Sequence, residues 1–449
     1  MSLNFLETST NFIDFVVEKM PVNPLNWIGV VIQWLINGIG IIGLGIIVFT
    51  LILKTITMPL DVFSRVKMKK QSLIMKKMRP QMEKLQKQYA NDKQMYNQKV
   101  MELQKANGIS MLSSCLPMIV TLVIFMVVFS AFSTYSQFVN LSTYNDMVDA
   151  YNESVENFVG ENGFLEERQD LSIIKVDEEG NEKSQTAYLV VFDKFDKEIK
   201  DGIGYDSDLI KNLYKQLYKL EELPEQLNIG EKFADMNEGE KMFFVRGYVR
   251  ENARKVAADY YRSNRNNFLW VNSLWYPDSM FNKEVPVFSK FSSAISRASG
   301  SGVEASSYES SYNEVTYYLL NEGYPNANGK IEGNTYNGYF VLIVLAIGLM
   351  FLQQFIMTRS QKDANELSTV DGSGAKTNKW MMIMMPIIYG AFSFLYSAAF
   401  SLYMITNTLY SLVSSLIINK IMDVKFKKME ANGGYQLKSE KKTNRKRLK

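Results

Sequence analysis

The sequence predicts an all-α polytopic membrane protein with five spans and one large insertion between the second and third of them. Two observations carry that reading. Uncharged apolar stretches long enough for a bilayer recur along the chain, and the segments between them alternate between strongly basic and acidic. The 449 residues are 47% hydrophobic and 22% charged with a net charge of +3, averages that conceal this segregation. There is no histidine and one cysteine, Cys115, which removes disulfide frameworks, histidine metal sites and Ser-His-Asp or Cys-His triads. No cofactor, metal or enzymatic chemistry is expected.

Residues 1–36 read as an arm leading into an interfacial amphipathic helix over Leu25 to Ile36, with Trp27 and Trp34 suited to a membrane surface. The first 20 residues lack a basic n-region and a proper h-region, so no cleavable signal peptide is expected. The spans fall at residues 37–59, 111–132, 333–358, 380–396 and 397–420. The last two share the 40 uncharged residues Trp380 to Asn419, about 60 Å of helix, enough for two bilayer cores. A turn is expected near Tyr396 to Ala399.

Lys/Arg bias orients these spans. Residues 60–110 carry 12 Lys/Arg against 4 acids, the tail from Lys420 carries 11 against 3, and the loop from Thr358 to Lys379 carries 4 against 3. Before the first span there is only Lys19 against Glu7, Asp14 and Glu18. The counts place the N-terminus outside and the C-terminus, with its tail 421–449, in the cytoplasm. The loop 359–379 and the basic helical hairpin 60–110 then face the cytoplasm.

The remaining stretch, 133–332, holds 21 Lys/Arg against 34 acids and reads as an extracytoplasmic α+β insertion. Leu171 to Val176 and Thr186 to Phe192 suggest a β-hairpin around Glu178-Glu179-Gly180-Asn181, and Leu209, Leu213, Leu217 and Leu220 one helix. Val245, Val249, Val256 and Tyr260 suggest another, while nine serines in Ser292 to Ser311 suggest a flexible connector.

In the cytoplasmic hairpin, Met68, Met75, Met78, Met82, Leu85 and Tyr89 follow a/d spacing, and Tyr96, Val100 and Leu103 mark the returning helix. The methionines either zip the hairpin or offer an adaptable greasy surface to varied hydrophobic segments. Lys54 is the ionisable residue inside the spans. It either snorkels past Pro59 toward Asp61 or charges a wet cavity, and Thr50 and Thr57 extend its polar face into the membrane. Thr121, Gln353, Gln354, Tyr403, Thr406, Asn407 and Tyr410 supply polar groups from other spans, for such a cavity or for helix-to-helix hydrogen bonds. The C-terminal KKTNRKRLK suits anionic lipid or ribosomal RNA. No DNA partner is expected.

Five stretches, in order, together resemble the YidC family of membrane protein insertases: TLILKTITMPLDVFSRVKMKKQSLIMKKMRPQMEKLQKQY from Thr50, CLPMIVTLVIF from Cys115, FLWVNSLWYPDS from Phe268, IGLMFLQQ from Ile347, and KWMMIMMPIIYG with SLYMITNTLYSL. The resemblance implies a five-helix insertase core whose hydrophilic groove receives nascent membrane proteins, alone or beside the Sec translocon. It puts Lys54 at the position of the family's groove arginine, keeping the charge without the planar fork. Thr121 stands where the family has glutamine, Ser397-Ala398-Ala399-Phe400 where it has Pro-Ala-Gly-Leu, and Met404 where it has Trp. Rival readings are a membrane-anchored sensor and a small channel. The sparse charge in the spans speaks against the second.

Overall fold

A computed structural model describes residues 12–13, 17–108, 111–176, 182–224, 227–299, 303–321, 336–360 and 373–431. Along the chain, β1 (Phe12–Ile13) precedes α1 (Trp27–Ile39), α2 (Ile42–Gln88), α3 (Lys93–Ala106) and α4 (Met111–Glu156). A hairpin, β2 (Leu165–Val176) and β3 (Glu182–Val190), leads to α5 (Phe192–Asp201), α6 (Asp208–Tyr218), α7 (Ile229–Asp235) and α8 (Glu238–Asn264). Then come α9 (Phe288–Ala294), a 3₁₀ turn at Ala305–Tyr308, α10 (Glu309–Val315), α11 (Tyr317–Leu320), α12 (Val341–Ser360), α13 (Ser373–Leu395) and α14 (Ala398–Ala431). The chain divides into two compact units interleaved in sequence: residues 24–136, 266–284 and 336–449 form one, and residues 1–23, 137–265 and 285–335 the other.

The first unit is helical. Among the described residues, four helices are long and apolar enough to cross a membrane, within Ile42–Gln88, Val123–Glu156, Val341–Arg359 and Ala398–Lys425, and Trp27–Ile39 and Pro386–Leu395 are shorter apolar segments. Asn26 caps α1 by accepting from the Gly29 N–H at 2.8 Å, and Gly40 ends it at φ 75°, a left-handed conformation that glycine adopts without a Cβ clash. The expected first span therefore restarts at Ile42, and α2 runs unbroken for 47 residues, about 70 Å, through Pro59 and Pro80 into the hairpin. Tyr396 and Ser397 separate α13 from α14. Inside the unit, Phe125 and Phe129 meet Phe392 and Phe400 edge-on, and Phe132 lies between Phe49 and Tyr403.

The loop 266–284 ties these helices together. Asp278, fully buried, accepts from the N–H groups of Tyr339 and Leu342, both at 2.7 Å, at the start of α12, where a carboxylate also meets the positive end of the helix dipole. Asn337 accepts from the Ser273 N–H at 2.7 Å and donates to the Ser273 and Pro277 carbonyls. A Cβ on Gly338 would lie 1.9 Å from the Asp278 carboxylate, and one on Gly43 would lie 2.2 Å from the Phe268 ring, so both close approaches require glycine. The first amides of α14, Ala398 and Ala399, donate to the Tyr276 and Leu274 carbonyls at 2.8 and 2.7 Å. Two orphan donors of that helix start are thereby satisfied.

In the second unit the sheet order is β1-β3-β2, all antiparallel, with Leu165 opposite Val190 and a register shift between Arg168 and Ser172. The strands begin earlier than expected at Leu165 and end at Val190, and Phe192 opens α5. The proposed turn Glu178 to Asn181 lies outside the described residues. A capping box between Asn237 and Glu240, each bond 2.9 Å, starts α8, whose Val245, Val249, Ala253 and Ala257 face the core. Val256 is exposed instead, because the buried face follows 3.6-residue spacing through the alanines. The expected serine-rich connector is a packed segment where it is described: Ile295 and Ala298 are buried, and α9 and α10 bracket it.

Two asparagines two turns apart on α4 hold the N-terminal arm. Asn152 exchanges hydrogen bonds with the Val17 backbone and Asn145 with that of Met20, reproducing the two-way pairing of a strand neighbour. Glu314 accepts from both arms of Arg254, at 2.9 and 2.7 Å, and from Tyr151, while Arg254 stacks 4.0 Å over the Tyr317 ring.

Two predictions follow from these contacts. Asp278→Ala strands two backbone donors and should cost about 2–4 kcal/mol, read as a lower thermal midpoint of the detergent-solubilised chain; an unchanged midpoint would remove the loop's structural role. Met78 is fully buried with Ile74, Met75, Met82 and Val100 in the hairpin core, so Met78→Ala should cost about 2–5 kcal/mol and speed amide exchange across residues 93–106 at least tenfold. Exchange at the wild-type rate would show that this core does not hold the hairpin.

Candidate functional site: a polar face within an apolar helix

On α2, Ile46, Thr50, Lys54, Thr57 and Asp61 recur at helical spacing and so share one face. Ile46 and Thr50 are fully buried. The Thr50 hydroxyl donates to the Ile46 carbonyl at 2.7 Å and the Thr57 hydroxyl to the Lys54 carbonyl at 3.3 Å. Bonds of this kind let a hydroxyl sit in an apolar helix while its lone pairs stay available as acceptors.

The Lys54 ammonium lies 3.9 Å from the Asp61 carboxylate, with side chains 13% and 32% exposed. About two turns of helix separate their backbones, and the lysine stem runs toward the C-terminal end of the apolar stretch, in the snorkelling direction. Asp61, which sequence reading used only as an end marker, is thus the partner of the half-buried cation. Its signal was the seven-residue spacing.

The other expected groups sort by helix. On α14, Tyr403 and Thr406 are buried and Asn407 is half-buried. Tyr403 packs its ring against Phe132 and Phe400, at 5.5 and 6.1 Å, so it belongs to the aromatic core. The Thr406 hydroxyl donates to the Leu402 carbonyl at 2.9 Å. Tyr410 donates to the Met58 sulfur at 3.6 Å and Lys69 pairs with Asp423 at 2.9 Å, so α2 and α14 run side by side in the same direction. Gln353 and Gln354 are half-buried on α12, which packs along α14. Among the described residues, no hydrogen bond joins Lys54 to these groups. The side chains of Thr121 and Met68 lie outside the described residues, and Met75, Met78 and Met82 face the hairpin core.

The structure adds groups that sequence reading passed over. Ser401, Thr408, Ser411 and Ser415 are buried along one face of α14, and the Thr408 hydroxyl has no hydrogen-bond partner among the described residues. Short hydroxyls barely alter hydropathy, so only their 7-3-4 spacing in the sequence marks them. Among the described residues, no group of three His, Cys, Asp or Glu is placed to hold a metal ion.

The model of the 60Kd inner membrane protein family matches residues 34–158 and 255–427. Curated relatives are named membrane protein insertase YidC. The one from Fusobacterium nucleatum is 41% identical over 91 residues, 20% of this chain and 42% of the relative. That of Caldanaerobacter subterraneus is 31% identical over 112 residues, 25% of this chain and 52% of the relative, and that of Oceanobacillus iheyensis 35% identical over 109, covering 22% and 42%. The chain therefore spans about half, or less, of the length of these relatives. No solved structure matches it. The matched residues take in α2 with Lys54, the loop 266–284 with Asp278, and α12 to α14, and the chain belongs to the 60Kd inner membrane protein (YidC) family.

Proposed function

We propose that the chain is an insertase, guiding hydrophobic segments of newly made proteins into the bilayer without making or breaking a bond. The observation that carries this is a charged, hydroxyl-lined face, Thr50, Lys54 and Thr57, on a helix long and apolar enough to cross a membrane. A client's polar flank meets the half-buried Lys54 and Thr57, with Gln353, Gln354 and Asn407 half-buried on α12 and α14 and Thr50 and Thr406 buried behind that surface, while its hydrophobic segment passes along the helices' apolar exteriors into lipid. Each charge kept hydrated on that path avoids a cost of about 2.5–3.5 kcal/mol. Burial of about 20 apolar residues then favours the inserted state. The membrane potential adds about 2.3 kcal/mol per charge per 100 mV to an acidic tail moving outward.

This reading adds α13, as the fourth span in chain order, to the four long apolar helices, with the N-terminus outside, the hairpin and the tail 421–449 in the cytoplasm, and the acidic insertion outside. First capture falls to the hairpin, where Met68, Met75, Met78 and Met82 become available to a client once α2 and α3 part. The basic tail meets the ribosome and anionic lipids. The Sec translocon is a further partner, supported by the family resemblance.

Depletion rescue tests the reading. In cells lacking their own insertase, wild type and Lys54→Arg should restore insertion of a single-span client with an acidic tail, scored by protease protection, and Lys54→Ala should reduce it at least tenfold. Equal rescue by all three would make Lys54 a snorkelling anchor, and no rescue by wild type at normal expression would remove the insertase reading.

A further inference from the structure

Resting on that reading, we propose that Asp61 is a resident counter-carboxylate which occupies Lys54 when no client is bound, and which a client's acidic group displaces. Asp61 therefore sets the preference between acidic and neutral clients.

The inference starts from the ion pair. The Lys54 ammonium sits 3.9 Å from the Asp61 carboxylate, on a face where the other polar groups are hydroxyls bonded within their own helix. A separation at the edge of ion-pair range, with both side chains partly exposed, describes a contact loose enough to exchange. A lysine is a point charge with three rotatable donors and has no fork that fixes one carboxylate in place. An incoming client carboxylate offers Lys54 the same chemistry that Asp61 does.

Displacement leaves Asp61 with an alternative. Arg65 follows it by four residues on α2, the arrangement with acid N-terminal to base that pairs best on a helix surface. Two cations thus bracket one carboxylate, and when Lys54 turns to a client, Asp61 swings toward Arg65. One ion pair, Lys54 with Asp61, gives way to two, Lys54 with the client and Asp61 with Arg65, so neither Lys54 nor Asp61 is left without an opposite charge. Asp423 on the neighbouring helix is already held by Lys69 at 2.9 Å and does not compete.

The experiment uses the full chain in insertase-depleted cells with two single-span clients that differ only in their tails, one carrying Asp and Glu and the other Asn and Gln. The readout is the ratio of acidic-tail to neutral-tail insertion. Asp61→Asn should raise that ratio about two- to fivefold, the range spanned by a partly exposed ion pair. Asp61→Glu, whose longer stem tightens the grip on Lys54, should lower it, which keeps the test informative if the first variant accumulates poorly. In a Lys54→Ala background Asp61→Asn should leave the ratio where it is. A ratio unmoved by both Asp61 variants while both clients insert overturns the proposal and leaves the insertase reading standing. A shift that persists without Lys54 also overturns it. Failure of wild type to insert either client removes the insertase reading itself.

Discussion

A charge inside an apolar helix has few ways to exist, and the placement of Lys54 governs much else in the helical unit. At the centre of a span it would cost several kcal/mol. Here it is moderated from three directions: the stem runs toward the end of the apolar stretch, Thr50 and Thr57 keep the same face polar, and Asp61 supplies a counter-charge. The helix that carries it is held against α14 on either side of Asp61 by Tyr410 to Met58 and by Lys69 to Asp423. Those ties keep a polar face in register beside another helix whose own buried face carries serines and threonines.

The loop 266–284 works by the same rule applied to backbone groups. Helix starts expose N–H groups that must find acceptors, and in this unit the acceptors are supplied from a distance in sequence. Asp278 serves α12, while the Tyr276 and Leu274 carbonyls serve α14. The motif FLWVNSLWYPDS is therefore intelligible as a clip. Phe268 needs the bare backbone of Gly43, Asp278 needs that of Gly338, and Asn337 spends all of its amide on the loop's own backbone.

Legibility in the sequence followed the strength of the periodic signal. Apolar stretches announced the long helices, and the a/d methionines announced the hairpin, because hydropathy reports what dominates each stretch. Contacts made by small polar groups over long separations were invisible. Asn145 and Asn152 grip Val17 and Met20 more than a hundred residues away, and nothing local to either segment signals it. The serine-rich stretch misled for a related reason: composition suggested flexibility, whereas Ile295 and Ala298, spaced three apart, anchor it in the core. Asp61 was visible as a residue but not as a partner, since an ion pair between residues seven apart depends on which way a flexible lysine turns.

The hairpin core has a structural role, and the proposed capture of clients would draw on the same residues. It is small, built on Ile74, Met75, Met78, Met82 and Val100 with Leu85, Tyr96 and Leu103 at its edge. Each fully buried side chain of this kind contributes about 1.5–3 kcal/mol, set against the backbone entropy of ordering α3, about 1–2 kcal/mol per residue. A unit with so few buried contacts belongs at the low end of local stability, where opening is frequent. Methionine suits that balance better than leucine would, because its flexible thioether packs adequately against its present neighbours and equally well against others. On the proposed function, a hydrophobic client segment would replace contacts of the same kind that opening releases, so the hairpin would part for it without an energy source.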